Sequence, residues 1–478
     1  MMGHNMEGTM TLDWNKIYKY ARRFFALTAL VALGFVATSG TGNRESEEAK
    51  AKKSWSGISY LKQTVVQQAP AISAASPGWD SERAASGYDD WEPAVAADSS
   101  STYVYQMITR YNGPKACNGC PFPVIIFRSS SDSGITWGPD KFLPVTKNKQ
   151  NDPEIEVAND GVIYALWLDA YTPGVKFIKS SNRGATWSTP IWFAGKGKSI
   201  AWNDKPILAI SPNGQHVYIA FNSSDSYVVS SHNYGASFGA PVKTNSDTRY
   251  WFHNGGAVAP NGDVYFSAVD YSQDYHGDAN INVLKSTNQG ASFTTTRVDT
   301  SKEEPDCPWS AGCYFGFLGS SAVLAIDPAG KIALAYSAND VAGAAEKMYV
   351  RTSTNGTTWS ARAEISNGVA GVNNSFPAIA ATTVNNDFRV TWQDDRNGST
   401  NAWNTWYRRS TNGGTTWSAA VRLSDLGSGA PYKTANGFAF PYGDYFEMAV
   451  DSTGRNHVIW GEGISYTGPG GTWYTRGQ

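Results

Sequence analysis

The sequence is poor in charge, histidine and cysteine. Of its 478 residues, 17% are charged, six are histidine and four are cysteine. A formal net charge of −2 provides no basic field of the kind that nucleic acids attract. The histidines and cysteines are not clustered as a structural zinc site requires, and no long amphipathic helix pattern occurs. The composition therefore argues against a nucleic-acid-binding protein and favours an all-β chain.

Long apolar runs are also missing, because the run Phe24–Val36 is shorter than the roughly 20 residues that cross a bilayer. Basic residues precede it and small residues follow it, which is typical of a signal peptide. We predict a signal peptide over 1–39, a flexible linker over 40–56 and one domain over 57–478. The mature protein is expected to be secreted or periplasmic, without a membrane span. The alternative is that the run is retained as an anchor.

The four cysteines form two closely spaced pairs, Cys117 with Cys120 and Cys307 with Cys313. In an exported protein such pairs predict two short-range disulfides. A redox-active or metal-binding C-x-x-C motif is the alternative.

What the sequence does contain is an eight-residue segment that recurs. Ser130–Trp137 reads SSDSGITW, and we call each copy an octet. The six octets begin at Ser130, Ser180, Ser231, Ser286, Thr352 and Ser410. Their third positions lie 50 to 66 residues apart. A period near 50 residues, with short strands between the copies, predicts the blades of a β-propeller.

The residue types of the octet predict a hairpin turn. Asp or Asn at the third position can bond the backbone two residues further on, and we assign Thr354 to this position in the fifth copy. Glycine at the fifth position allows a left-handed backbone. The final aromatic residue is expected to be a buried plug at the start of the next strand.

Seven first strands can be placed by their order relative to the octets. They are Pro93–Ala97, Pro153–Ala158, Pro206–Ser211, Gly256–Ala259, Ser321–Ile326, Pro377–Ala381 and Phe446–Val450. With only six octets, the last blade lacks its outer strand, which would leave an open sheet edge. We predict a seven-bladed β-propeller in which the N-terminal run Ile58–Val66 supplies that strand. The alternative is six blades with the last unit as a separate cap.

This layout separates two faces of the disc. The octets and the turns between first and second strands share one face, which we call the scaffold face. The loops between second and third strands and the connectors between blades share the other, the variable face. Loops on a rigid scaffold often carry function, so we expect the site on the variable face.

The octet resembles the Asp-box, or BNR repeat, of sialidases and related propellers, over about residues 57–478. The resemblance implies a sialidase-like propeller fold in which these turns are structural. Sialidases hold the sugar carboxylate with three arginines, the first in an Arg-Ile-Pro sequence. This chain has Asp90-Trp91-Glu92-Pro93 at that place. The resemblance therefore implies the fold and leaves the activity open.

The first candidate site is the set of polar and aromatic residues that precede the first strands. Carboxylates and amides bind sugar hydroxyls, aromatic rings cover sugar faces, and two carboxyl groups can perform acid–base hydrolysis. We predict catalytic roles for Asp152, Asp204 and Asp444, and substrate binding by Asp90, Trp91, Asn151, Trp202, Asn203 and Tyr445. The alternative is that these residues only satisfy backbone groups.

Two further groups of residues are candidate sites. Arg249, Tyr250, Trp251 and His253 could serve a uronate lyase, with a cation for the carboxylate and a base and acid beside it. Asp395 and Arg396 lie in another variable-face loop and could bind substrate. Packed connectors and a solvated ion pair are the alternatives for these two groups.

The sequence thus predicts an exported propeller that acts on a glycan or polysaccharide, with a glycoside hydrolase favoured. A polysaccharide lyase and a non-catalytic carbohydrate- or protein-binding propeller are the alternatives. We expect a monomer with no required cofactor, although oxygen ligands would permit Ca²⁺ near the axis.

Overall fold

The computed structural model describes residues 73–144, 147–170, 174–193, 204–223, 225–273, 276–305, 318–397, 402–427, 429–431, 445–463 and 470–478. All of them belong to the unit Arg44–Gln478, one of two into which the chain divides, the other being Met1–Asn43. Over these ranges the chain forms strands and turns without a helix. In particular, no helix in this part of the chain is long and apolar enough to cross a membrane.

The strands form seven antiparallel sheets, which we number as blades in chain order. Blade 1 contains Asp90–Ala97, Val104–Arg110, Val124–Ser130 and Lys141–Phe142; blade 2 contains Gln150–Val157, Ile163–Asp169, Gly174–Ser180 and Ile191–Phe193. Blade 3 contains Asp204–Ile210, Val217–Ser223, Asp225–Ser231 and Val242–Lys243; blade 4 contains Tyr250–Val258, Val264–Gln273, His276–Ser286 and Thr294–Ser301. Blade 5 contains Ala322–Ile326, Ile332–Ala338, Lys347–Ser353 and Ala363–Glu364. Blade 6 contains Asn374–Ala381, Phe388–Asp394, Ala402–Ser410 and Val421–Arg422, with Ala430–Pro431 paired beside it. Blade 7 contains Glu447–Val450, Asn456–Gly463, Gly470–Gly477 and the early strand Arg83–Ala84.

The blades close into a ring, since each first strand contacts the first strands of both neighbouring blades and that of blade 7 contacts that of blade 1. The hydrophobic core consists of clusters between adjacent blades. Tyr164 and Phe177 of blade 2, for example, pack with Ile219 and Phe221 of blade 3. The predicted seven-bladed β-propeller is confirmed.

Hydrogen bonds inside the first octet show why its residue types recur. The Ser130 hydroxyl donates to Asp132 Oδ1 (2.7 Å) and accepts from the Gly134 N–H (2.9 Å). The Asp132 carboxylate accepts from the Thr136 N–H (2.9 Å) and hydroxyl (2.6 Å). The carboxylate therefore closes the turn four residues ahead, not two as the sequence suggested. Burial raises the pKa of Asp132, but these bonds together outweigh it and lower the pKa to about 2.

The glycine and the aromatic residue of the octet join adjacent blades. Gly134 has a φ of 73°, and a Cβ there would collide with the hydroxyl of Tyr474 in blade 7. The ring of Trp137 packs edge-on against the same tyrosine at 5.3 Å between centroids. Trp187 of blade 2 makes the equivalent contact with Phe127 of blade 1 at 5.1 Å. The octets thus build the contacts between blades.

The fifth octet is one residue out of the predicted alignment. Asn355, not Thr354, accepts from the Thr357 and Thr358 N–H groups, both at 2.9 Å. Its left-handed Gly356 follows directly, so this turn is one residue shorter than that of the first octet.

The last blade is completed by a strand from early in the chain, as predicted, but by a different segment. Arg83 pairs with Tyr474, and Ala84 with Trp473. An isolated bridge joins Trp79 to Gly477. Arg83–Ala84 occupies the place that we assigned to Ile58–Val66, which lies outside the described residues.

Candidate functional site

The first strands of blades 1, 2, 3 and 6 begin with the same irregularity. Each contains a register shift close to a proline. The residue before that proline has a positive φ, namely Glu92 (47°), Asp152 (50°), Lys205 (34°) and Phe376 (57°). We call these four the bulge residues. Such a backbone costs about 1–3 kcal/mol per residue and persists only where the surroundings impose it.

The bulge residues lie on the variable face. Each first strand runs from its bulge towards the turn that contacts the octet, as shown in blade 1 by the 2.8 Å hydrogen bond from the Ser133 N–H to the Thr102 carbonyl. The bulges are therefore at the opposite ends of the innermost strands. The four bulge residues therefore lie around the central opening of the ring, on its variable face.

A hydrogen bond joins two of the bulge residues at this opening. The Asp152 N–H donates to Glu92 Oε2 at 3.1 Å, which joins blade 2 to blade 1. Both residues are buried, at 2% and 0% exposure. Beside them the Asn151 side chain donates to the Tyr111 hydroxyl at 3.1 Å. The consecutive residues Asn151 and Asp152 of blade 2 thus bond to Tyr111 and to Glu92 of blade 1.

A lysine side chain crosses the opening. Lys205 Nζ of blade 3 lies 3.4 Å from the ring centre of Tyr445, which precedes the first strand of blade 7. It also lies 5.8 Å from the ring centre of Phe252 in blade 4. Such cation–ring contacts are strongest when water is excluded, and Lys205 is buried.

Further along the axis is a cavity of about 120 Å³, which we call the channel, whose lining includes Glu154, Glu156, Glu447 and Lys205. Burial raises the pKa of Glu156 to about 7. Burial, and then repulsion by Glu447, raises the pKa of Glu154. Burial also raises the pKa of Glu447, against the opposing effect of the Val95 N–H, which donates to it at 2.8 Å. The channel therefore holds protonated carboxyl groups near neutral pH.

Several predicted substrate-binding residues are part of the framework. Asp90 is fully buried and paired with Arg110, at 2.6 Å and 3.0 Å. Trp91 is in the hydrophobic core, and its indole N–H donates to Asp89 at 2.6 Å. Asp204, which was predicted to be catalytic, is also buried, and its carboxylate accepts the Lys205 N–H at 2.9 Å.

The blade 4 group does not assemble as a lyase site would require. Arg249 is held by the carboxylate of Asp270 and its own blade's carbonyl groups. Tyr250 and Trp251 belong to the cores on opposite sides of the strand. His253, on the same side as Trp251, is buried and hydrogen-bonded to the Ser226 hydroxyl at 2.8 Å. Burial lowers the pKa of His253 to about 3.

The blade 6 group is an internal network. Asp395 accepts the backbone and side-chain N–H groups of Asn373, at 3.0 Å and 2.9 Å. Burial raises the pKa of Asp395. Arg396 pairs with Asp394 at 2.5 Å and covers the ring of Trp406 at 3.9 Å.

Some predicted residues fall outside the described part of the chain, namely Trp202, Asn203, Asp444, Cys307 and Cys313. The disulfide Cys117–Cys120 is present, with a Cα–Cα distance of 5.2 Å. Among the described residues, no group of three or more His, Cys, Asp or Glu side chains is arranged to hold a metal ion.

Sequence reasoning missed Glu92, Lys205 and the three channel glutamates as site residues. A signal was present, because the bulge residue directly precedes the proline of its first strand in Glu92-Pro93, Asp152-Pro153 and Lys205-Pro206. The alternation of side chains along a strand then places Glu154 and Glu156 on the same side of the sheet.

Comparisons with known proteins return likenesses of fold. No family profile matches the chain, and no curated protein sequence matches it. It is similar to a solved structure of a protein of unknown function from Dyadobacter fermentans, with 13% identity and a TM-score of 0.48, over 84% of this chain and 99% of that one. An ulvan lyase, described as a new family of polysaccharide lyase, has 11% identity and a TM-score of 0.49, over 81% and 94%. A Trypanosoma rangeli sialidase in complex with sialic acid has 11% identity and a TM-score of 0.42, over 86% and 58%.

The chain is a seven-bladed β-propeller. The seven blades of the structure itself carry this conclusion, and they agree with the resemblance drawn from the octets. At identities of 10–13%, the solved structures assign neither a substrate nor a reaction to this chain.

Proposed function

We propose that the chain is an exported propeller that hydrolyses a glycan at the variable-face opening. The observation that carries this proposal is the hydrogen bond from the Asp152 N–H to the Glu92 carboxylate, which brings two acidic residues of adjacent blades to the same part of the opening. Acid–base hydrolysis of a glycosidic bond needs two carboxyl groups, one to protonate the leaving oxygen and one to activate water or attack the sugar. The strained backbone at both positions is typical of residues held for function.

The surroundings of the pair suit a sugar. Tyr111, Phe252 and Tyr445 are placed around the opening, where aromatic rings can cover the apolar faces of pyranoses. Asn151 adds a hydrogen-bonding group for hydroxyls. The uronate lyase alternative has less support, because Tyr250 and His253 lie on opposite sides of their strand and Arg249 is held by Asp270.

Activity assays on isosteric variants test the proposal. Purified protein is incubated with sialoglycans, plant glycans and uronate-containing algal polysaccharides, while reducing ends and ultraviolet absorbance are followed. Glu92→Gln and Asp152→Asn should each lower kcat by about 100-fold or more, because they remove general acid–base catalysis without removing volume. The matched control is Asp160→Asn, since Asp160 is an exposed carboxylate of blade 2 on the scaffold face.

Each outcome has a distinct meaning. New reducing ends that disappear in both variants, but not in the control, support hydrolysis. Products that absorb in the ultraviolet would instead indicate a lyase. Binding without product from any polysaccharide would indicate a non-catalytic module, and full hydrolysis by both variants would remove Glu92 and Asp152 from the mechanism.

A further inference from the structure

Two of the six histidines meet on the scaffold face of blade 3. His216 precedes the second strand of this blade, and His232 is the second residue of its octet. The adjacent residues Val217 and Ser231 form the last pair of the ladder. The two histidines therefore face each other just beyond the end of a hairpin.

The imidazole rings are held close and remain accessible. The two Nδ1 atoms lie 3.0 Å apart, and the ring centres are separated by 5.2 Å. His232 is exposed and His216 is partly exposed. The ring of Tyr218 packs against both, at 6.5 Å from His216 and 6.1 Å from His232. Tyr218 thus lies beside both imidazole rings.

The surroundings of His216 disfavour its cationic form. Partial burial, and then the proximity of His232, lowers the pKa of His216. Two cationic imidazoles at this distance would repel each other. Neutral imidazole is the form that binds metal ions.

We propose that His216 and His232 chelate a divalent transition-metal ion, such as Cu²⁺, Ni²⁺ or Zn²⁺, through their Nδ1 atoms. Zn–N bonds of 2.0–2.1 Å in tetrahedral geometry separate two ligand nitrogens by about 3.3 Å. The observed 3.0 Å is close to that value, so a small pivot of the rings admits the ion. Water completes the coordination, and imidazole ligands favour Cu²⁺ over Ni²⁺ and Zn²⁺. The ion would fasten the end of the hairpin on the face opposite the glycan opening.

Calorimetric titration of tag-free protein with ZnCl₂, NiCl₂ and CuCl₂ tests the site. We expect about one equivalent to bind in the order of the Irving–Williams series, with Cu²⁺ tightest. His216→Ala and His232→Ser should each weaken binding about tenfold or more, because even loss of an outer-shell partner costs that much. Serine is a safe replacement at 232, since the first two octets carry Ser131 and Ser181 at this position. His276→Ala removes a histidine elsewhere and should leave the affinity unchanged.

Electron paramagnetic resonance of the Cu²⁺ form gives an independent measurement. Two coordinated nitrogens are expected in the wild type and one in His232→Ser. The proposal is overturned if the wild type binds none of the three ions. It is also overturned if both single variants retain wild-type affinity, which would leave an N–H···N hydrogen bond as the only role of the pair.

Discussion

Lys205 and Tyr445 connect two blades that are not neighbours in the ring. The lysine ammonium of blade 3 lies 3.4 Å from the centre of the tyrosine ring at the start of blade 7. The same ammonium lowers the pKa of Glu154 and of Glu447, against the larger effect of burial. The Lys205 ammonium thus interacts both with an aromatic ring and with the channel glutamates.

Replacing this cation should destabilise the propeller in a pH-dependent way. Lys205→Met retains the apolar stem but loses the cation–ring contact, with an expected loss of about 2 kcal/mol in the free energy of unfolding. The loss should be larger at pH 8 than at pH 5, because ionised glutamates then lack a counter-charge. Urea denaturation at the two pH values measures both effects. Lys243→Met is the control. The Lys243 side chain is 43% exposed in its ion pair with Asp225, so this substitution should change the free energy of unfolding little.

The channel glutamates should make stability fall as the pH rises. Burial raises the pKa of Glu156 from its ordinary 4.5 to about 7. Between these values the folded state keeps a proton that the unfolded state releases, so the stabilisation is complete below 4.5 and lost as the pH rises through 7. The full loss is about 3 kcal/mol at most.

Urea denaturation from pH 4.5 to pH 8 measures this slope. Glu156→Gln should flatten it, because glutamine does not titrate. Glu303→Gln, which alters an exposed carboxylate, should leave it unchanged. An identical slope in wild type and Glu156→Gln would contradict the assigned titration.

The octet carboxylate should contribute stability that acid removes. Asp132→Ala eliminates the bonds to the Thr136 N–H and hydroxyl and should cost about 1.5–3 kcal/mol at pH 7. Because the pKa of Asp132 is lowered to about 2 from its ordinary 3.8, this contribution should disappear as the pH falls through that interval.

The other octets provide the control for this prediction. Asn182 occupies the equivalent position in blade 2 and accepts the Thr186 N–H at 2.9 Å. Asp132→Asn should therefore retain most of the stability at pH 7 and lack the acid dependence. Chemical denaturation at pH 2.5, 4 and 7 compares the three proteins. Equal stability of Asp132→Ala and wild type at neutral pH would be inconsistent with the proposed role.

The ring of blades could be predicted from the sequence because the octet repeats. Six copies mark the same turn and seven first strands recur in order around them, so strand order, the position of the turns and a seventh blade could be predicted. The residue at which each first strand begins was harder to predict. We placed it at Pro93 and Pro153, whereas the strands begin at Asp90 and Gln150. A residue before proline prefers an extended backbone, so a left-handed bulge at Glu92 is imposed by the assembled ring and not by local preference.

The site was harder to predict because burial depends on neighbouring blades. Trp91 has the residue type of a sugar platform, but it fills a core formed with residues of blades 6 and 7. Because Arg83–Ala84 has only two residues, it shows no alternation of polar and apolar side chains, and the sequence favoured a longer run as the closing strand. In both cases the decisive partner is hundreds of residues away along the chain.

The closing strand also has a consequence for biosynthesis. Blades 1 to 6 are each continuous in sequence, so each can form soon after its residues emerge from the ribosome. Blade 7 can be completed only at the end of synthesis, because Arg83 is made early and its partner Tyr474 is made almost four hundred residues later. Until then the first and sixth blades each expose a face that blade 7 covers in the finished ring. The domain therefore remains an open arc during translation and closes into a ring only after its last strand is made.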